Sequence, residues 1–229
     1  DLISLMKTGK FDIGIAFDGD ADRVGVVDET GDIIWADQLM AIFLPEVLEE
    51  GDEILYDVKC SQALEDMIVK YGGKPIMWKT GHSLIKQRMG ELNCKLGGEM
   101  SGHIFFADDY YGYDDAIYVA ARIVQTLSRT DKTLSQLKAE LPTYFSTPEM
   151  RLEAQSDEEK FRIAKEAVAY FTDNYDCSTI DGVRIQFGDG WGLVRQSNTQ
   201  PVIVCRFEAN TPERMAEIQS IVLDKLQTI

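Results

Sequence analysis

The apolar positions of this chain predict two successive sets of elements. Leu2, Ile3, Leu5 and Met6 have the spacing of a helix end, and an apolar run then predicts a buried strand over 11–17. Residues 24–28 predict a second strand, and a turn at 29–32 leads into 33–35. Asp37 is placed to cap a helix through Leu39, Ile42, Phe43, Val47 and Leu48, which Pro45 should kink or split. Strands at 54–58, 75–78, 96–99 and 104–106 then interleave with helices. One helix is capped by Ser61 and carries Leu64, Met67 and Ile68, and others span about 83–92 and 114–128. Strands alternating with helices in this way predict a layered α/β domain. Residues 141–148, bounded by Leu141-Pro142 and Pro148, are the best boundary, and the pattern changes beyond them. A strand at 150–154, a helix at 157–174, strands at 180–187, 192–194 and 202–208, and a helix at 211–226 predict an α+β module. Its sheet should be mostly antiparallel with two helices on it.

A hydrophobic content of 45% over 229 residues is ample for packed cores. The net charge of −16 argues against nucleic acid and against an anionic membrane surface. It leaves room for an anionic substrate, because a few local cations can dominate a cleft. Cys60, Cys94, Cys177 and Cys205 are scattered and form no zinc-type pair, as expected of thiols in a reducing compartment. No apolar run of 18 residues and no secretory leader pattern occurs, so the expected location is cytoplasmic. The chain opens on Asp1 and reaches its first strand after ten residues, which reads as a piece of a longer chain cut inside a domain.

The chemistry concentrates in three loops. Asp18-Gly19-Asp20-Ala21-Asp22-Arg23 follows the first strand, with carboxylates at every second position. A tight loop can turn all three toward one point, which suits a hard divalent cation, and Arg23 adds a fork for a phosphate oxygen. Gly97-Gly98-Glu99-Met100-Ser101-Gly102-His103 puts a carboxylate and a hydroxyl at alternate positions, a grip for vicinal sugar hydroxyls. The chain's only two histidines, His82 and His103, each follow a glycine, a setting for a proton shuttle. Arg195-Gln196-Ser197-Asn198-Thr199-Gln200-Pro201 lies between two strands and looks like a phosphate cradle. Lys59 and Lys79 sit at strand ends on one expected cleft edge, and each alone would most often be solvated.

Together these loops resemble the α-D-phosphohexomutase superfamily, and within it the bacterial phosphomannomutase/phosphoglucomutase branch. F-D-G-D-A-D-R is similar to its metal loop, G-E-M-S-G-H to its sugar loop and R-Q-S-N-T-Q-P to its phosphate loop, in the family's order. D-V-K-C, M-W-K-T-G-H-S-L-I-K, D-G-V-R and G-W-G-L-V-R also resemble it. Met100 and Asn198 favour this branch over phosphoglucosamine mutases, which usually carry Gln and Gly there. The resemblance implies three parts. Residues 1–30 would end domain 2, residues 31–143 would be the mixed α/β domain 3, and residues 147–229 the TATA-binding-protein-like α+β domain 4.

By the same resemblance, Asp18, Asp20 and Asp22 would hold Mg²⁺, with Arg23 beside the reacting phosphate. Glu99 and Ser101 would bind the sugar's 3- and 4-hydroxyls, Lys79 would bind substrate beside them, and Lys59, His82 and His103 would line the cleft as catalytic groups, polarising or shuttling protons. Arg195, Ser197, Asn198 and Thr199 would hold the non-reacting phosphate. The substrates implied are glucose and mannose 1- and 6-phosphates, with glucose 1,6-bisphosphate as activator of the full-length enzyme. The family's phosphoserine loop has no counterpart in this sequence, so the chain alone is expected to be inactive and to need the N-terminal domains 1 and 2. Two other readings are a non-catalytic phosphosugar-binding module and a haloacid-dehalogenase-like phosphatase with Asp18 as nucleophile. The phosphatase would want Thr or Val where Asp22 stands.

Overall fold

In the computed structural model, which describes residues 1–197 and 200–229, the chain opens on helix α1 (Leu2–Met6). Its fully buried Met6 lies against Gly14, where any Cβ would come within 2.9 Å of the Met6 side chain. Strands β1 (Ile13–Phe17), β2 (Val24–Asp28) and β3 (Ile33–Ile34) form an antiparallel sheet in that order. The expectation of a buried first strand is corrected here. β1 is the edge of this sheet, and Ala16 and Phe17 at its end are exposed, because α1 covers only its first half. The apolar run is continuous, but an edge strand has neighbours on one side only.

Helix α2 (Ala36–Val47) also departs from expectation. Trp35 is its N-cap, and Asp37, two positions inside, turns its buried carboxylate to the backbone N–H of Ser61 at 2.8 Å. Pro45 does not split the helix, which runs unbroken from Ala36 to Val47. It sits in the last turn, and the Leu48 N–H still closes on Leu44 O at 2.9 Å. Next come β4 (Glu53–Asp57), α3 (Gln62–Lys70), β5 (Lys74–Trp78), α4 (His82–Leu92), β6 (Leu96–Gly98) and β7 (Ile104–Phe106). Ser61 caps α3 as expected, its hydroxyl accepting from Ala63 N at 3.1 Å. The sheet runs β5-β4-β6-β7, with β5, β4 and β6 parallel and β7 antiparallel at one edge. Leu39, Phe43, Ile54, Tyr56, Ile68, Leu96 and Phe106 form the core between this sheet and α2 and α3.

Helices α5 (Ala116–Ser128) and α6 (Leu134–Ala139) complete a unit spanning residues 1–142. The short α6 is not visible in the apolar pattern. It is anchored by Glu29, whose carboxylate accepts from the Ser135 hydroxyl and from Ser135 N at 3.2 Å. Burial pushes the Glu29 carboxyl up, but hydrogen bonds from Ser135 and Thr133 outweigh it and hold the group below its ordinary value. A depressed carboxyl stabilises above its ordinary range and loses that contribution as pH falls through its folded value. Glu29→Ala is therefore expected to lose about 1 kcal/mol at neutral pH, and less as the solution is acidified. Urea midpoints of the two proteins, compared across pH, check it.

Residues 143–229 form a second compact unit. It comprises β8 (Phe145–Ser146), β9 (Met150–Glu153), α7 (Asp157–Asn174), β10 (Asp176–Ser178), β11 (Val183–Gln186), β12 (Gly190–Gln196), β13 (Val202–Ala209) and α8 (Pro212–Leu226). The strands form one antiparallel sheet, β10-β11-β12-β13-β8, with β9 pairing the other half of the β13 edge. Val183, Ile185, Val194, Cys205 and Phe207 on one face meet Phe171 of α7 and Ile218 and Val222 of α8. The alternate positions carry charge: Arg184 stacks 3.9 Å over Trp191, whose indole N–H donates to Glu208 at 2.8 Å. No described helix is long and apolar enough to cross a membrane.

Candidate active site

The β1–β2 hairpin closes at Phe17 opposite Val24, leaving residues 18–23 as its loop. Ala21 takes φ +59°, a left-handed conformation that non-glycine residues adopt at a cost. The loop is held from outside by two backbone bonds, Ala116 N–H to Ala21 O at 3.0 Å and Val24 N–H to Gly102 O at 3.1 Å. It brings one oxygen each of Asp18, Asp20 and Asp22 within 4.8 Å of one another. Arg23 grips the cluster from the side, with Nε 2.6 Å from Asp18 and 3.7 Å from Asp22.

The charges are unevenly settled. Burial raises the Asp18 carboxyl, but the bonds from Arg23 prevail and hold it below the usual range. Burial raises the Asp22 carboxyl as well. Asp20, Asp18 and Asp114 push it further, and only His103 works strongly against them. Asp22 Oδ1 is buried with no hydrogen-bond donor among the described residues. An oxygen-only donor set with unrelieved negative charge fits a hard divalent cation such as Mg²⁺.

A second group of side chains stands at the C-terminal ends of the parallel strands. Lys59 follows β4, Lys79 follows β5 and Glu99 follows β6. Lys59 is not the solvated lysine expected. It is buried, with Nζ 3.8 Å from the fully buried Asp57, whereas Lys79 is exposed. Asp57 also accepts from Thr80 Oγ1 at 3.1 Å and from Met100 N at 3.3 Å, so it ties together the loops after β4, β5 and β6. Glu99 is buried and accepts from Gly81 N at 2.5 Å, with the Ser101 hydroxyl 3.4 Å from its other oxygen. Burial, and then the charge of Asp57, raise the Glu99 carboxyl, while Gly81 N–H, His103 and Lys59 oppose them.

The sugar-type loop touches the metal-type loop directly. Gly102, at φ +111°, is required here, because a Cβ would come within 2.9 Å of Val24 O. Each histidine places Nδ1 2.9 Å from Asp114, and their rings stack with centroids 5.0 Å apart. Asp18, Asp20, Asp22, Arg23, Glu99, Ser101, His82 and His103 are thus joined by contacts within one unit. Asp57, Thr80 and Asp114 belong to the same network, and the sequence pattern gave no separate signal for their roles.

Arg195 and Ser197 lie in the second unit. Arg195 is buried on β12, with Nε on Asp181 at 3.0 Å and Nη2 buried without a partner among the described residues. Lys160 of α7, also buried, donates to the carbonyls of Ser197 and Gln200 at 3.2 and 3.1 Å. Asn198 and Thr199, expected to bind phosphate, lie outside the described residues.

A mixed α/β unit with a carboxylate hairpin docked on its strand-end loops, followed by an antiparallel α+β unit, is the class of protein seen here. Residues 35–145 match the family model described as phosphoglucomutase/phosphomannomutase, alpha/beta/alpha domain III, and residues 149–225 match its C-terminal domain. The chain belongs to the phosphoglucomutase/phosphomannomutase family. Among its relatives is the phosphomannomutase/phosphoglucomutase of Pseudomonas putida, 47% identical over 96% of this chain and 48% of that protein. The crystal structure of a phosphoglucomutase/phosphomannomutase family protein from Burkholderia thailandensis superposes at TM-score 0.89, with 41% identity, over 98% of this chain and 49% of its own. At 14% identity and TM-score 0.68, the Aspergillus fumigatus N-acetylphosphoglucosamine mutase, solved with GlcNAc-6P and magnesium, shares the fold over 92% of this chain and 47% of its own. The chain spans about half the length of the curated relatives it matches. Family membership removes the haloacid-dehalogenase reading of the D-x-D pair.

Proposed function

We propose that this chain carries the metal, sugar and distal-phosphate loops of a phosphohexomutase that interconverts hexose 1-phosphates and hexose 6-phosphates. The observation that carries the reading is the docking of the three-carboxylate hairpin onto the Glu99–Ser101 loop through the Val24–Gly102 backbone bond. Asp18, Asp20 and Asp22 hold Mg²⁺, which when bound neutralises charge on a transferring phosphoryl group. Arg23 orients a phosphate oxygen beside them. Glu99 and Ser101 receive the sugar's 3- and 4-hydroxyls. Glucose and mannose do not differ there, so one loop serves both sugars. Lys59, Lys79, His82 and His103 line the cleft, the histidines being suited to hold or move a hydroxyl proton. Arg195, Ser197, Asn198 and Thr199 hold the phosphate that does not react. The buried Nη2 of Arg195, which has no hydrogen-bond partner among the described residues, supports this, since it offers a donor in want of an anionic acceptor. The family's phosphoserine loop has no counterpart in this sequence, and the chain spans about half the length of the relatives it matches, so the phosphoryl-carrying serine is assigned to a part of the protein outside these residues.

Calorimetric titration of glucose 1-phosphate and mannose 1-phosphate with Mg²⁺ tests the reading, beside a coupled mutase assay primed with glucose 1,6-bisphosphate. Millimolar binding of both sugars by this chain, without turnover, is the expected result. Absence of heat from folded protein would overturn the binding assignment. Turnover by these 229 residues alone would overturn the serine assignment.

A further inference from the structure

The geometry points to a second metal site, formed by Asp22, His82, His103 and Asp114, that takes a borderline transition ion such as Zn²⁺. Each of these four residues offers a ligand atom within 4.8 Å of the others. They come from four places in the fold: the β1–β2 hairpin, the first turn of α4, the entry to β7, and a β-bridge that pairs Asp114 with Phe105. The Nδ1 atoms of both histidines lie 2.9 Å from the same Asp114 oxygen, and His103 Nδ1 lies 3.7 Å from Asp22. A tetrahedral ion with bonds of about 2.0–2.1 Å needs ligand atoms about 3.3–3.4 Å apart. Three of the six separations, 2.9, 2.9 and 3.7 Å, straddle that value, and the other three lie within 4.8 Å, so side-chain rotations can gather the set around one ion.

Two further observations favour a ligand here. His103 Nδ1 is a buried atom that makes no well-aligned hydrogen bond, despite its closeness to Asp114. Asp22 turns its Oδ2 toward this site, 3.7 Å from His103 Nδ1, while its buried Oδ1 faces Arg23 Nε at 3.7 Å without a hydrogen bond among the described residues. The positive end of α4, which starts at His82, opposes a cation. The two carboxylates of the set, with Asp18, Asp20 and Glu99 close by, offset it.

The donor chemistry separates this set from the hairpin cluster. Three carboxylates suit Mg²⁺, whereas two imidazoles with two carboxylates suit Zn²⁺ or Co²⁺. Asp22 belongs to both sets. A transition ion that recruits it draws a ligand from the Mg²⁺ cluster and occupies both histidines together. Zn²⁺ and Mg²⁺ should therefore antagonise each other on this protein, whatever reaction it takes part in.

The chain has only two histidines, so in untagged protein every imidazole signal reports this site. Ring ¹⁵N spectra of histidine-labelled protein, titrated with ZnCl₂ in the presence and absence of excess MgCl₂, need no variant. Both rings should shift at one Zn²⁺ per chain, Mg²⁺ alone should leave them in place, and excess Mg²⁺ should weaken the Zn²⁺ response. His103→Gln and Asp114→Asn should each lower Zn²⁺ affinity by about tenfold or more. The double variant Asp18→Asn/Asp20→Asn, which alters only the oxygen cluster, should retain the histidine shifts. Imidazole signals unmoved by Zn²⁺ in folded protein would overturn the proposal. So would loss of the shifts in the Asp18→Asn/Asp20→Asn protein, which would place the ion on the hairpin alone.

Discussion

Replacing Asp57 by alanine is expected to cost the first unit about 3–5 kcal/mol, the range for removing one partner of a buried ion pair. Asp57 is fully buried, and its carboxylate faces the Lys59 ammonium, which is itself buried, at 3.8 Å. The same carboxylate accepts from Thr80, from Met100 N and from the Cys60 thiol, the last at 3.1 Å. Truncation leaves a desolvated cation without that charge and donors from three loops without their acceptor. Asp57→Asn keeps the shape and the acceptor oxygen and should lose clearly less. Urea unfolding followed by fluorescence separates the two cases, since Trp78 ends β5 beside this cluster. A second readout follows from the Glu99 carboxyl, which Asp57 helps to raise. In Asp57→Asn it should titrate at lower pH, visible in carboxyl ¹³C shifts. Equal midpoints for Asp57→Ala and the parent would mean that the ion pair and the loop junction contribute nothing net.

The same junction shows why part of the site could be read from the chain and part could not. Asp18, Asp20, Asp22 and Arg23 fall within six residues after an apolar run, so local pattern alone gathers them. The links made by Asp57 and Asp114 are long-range: Asp57 reaches Met100, 43 residues on, and His82 reaches Asp114, 32 residues on. Neither aspartate stands in a local motif that announces its partner. Asp37 departs from its expected role for a related reason. It stands where a cap could stand, but its partner is the Ser61 N–H, 24 residues away. Among the elements, the five-residue β2 is closely bounded by the polar loops on either side and the 18-residue α7 is long, and for both the expected bounds match the observed ones. α6, β8 and β10 are short. α6 buries only Leu134, which gives periodicity too little to act on. Lys59 shows the limit of residue-type priors: a lysine is usually solvated, but here a buried carboxylate two residues earlier in the chain retains it.

Gly182→Ala should damage the second unit and its candidate phosphate grip together. Gly182 sits at φ +74°, immediately before β11. A Cβ there would come within 2.3 Å of Val194 O and 2.7 Å of the Cα and Cβ of Arg195. A left-handed backbone costs a residue with a side chain about 1–2 kcal/mol, and overpacking adds about 1–3 kcal/mol. The strain cannot be relieved by a flexible side chain, because the obstruction is the backbone of β12. The hairpin must open where Val183 pairs with Val194, which displaces Arg195 from Asp181. The expected loss is therefore about 2–5 kcal/mol, together with the affinity for inorganic phosphate or glucose 1-phosphate. Arg195→Lys separates the two effects. It keeps the charge but removes the planar fork, so binding should fall with a smaller loss of stability. Thermal midpoints with and without phosphate read both quantities, because a ligand that prefers the folded state raises the midpoint. An unchanged midpoint in Gly182→Ala would show that the β11–β12 turn does not need its glycine. An undiminished phosphate response in Arg195→Lys would show that the fork geometry of Arg195 is not what holds the anion.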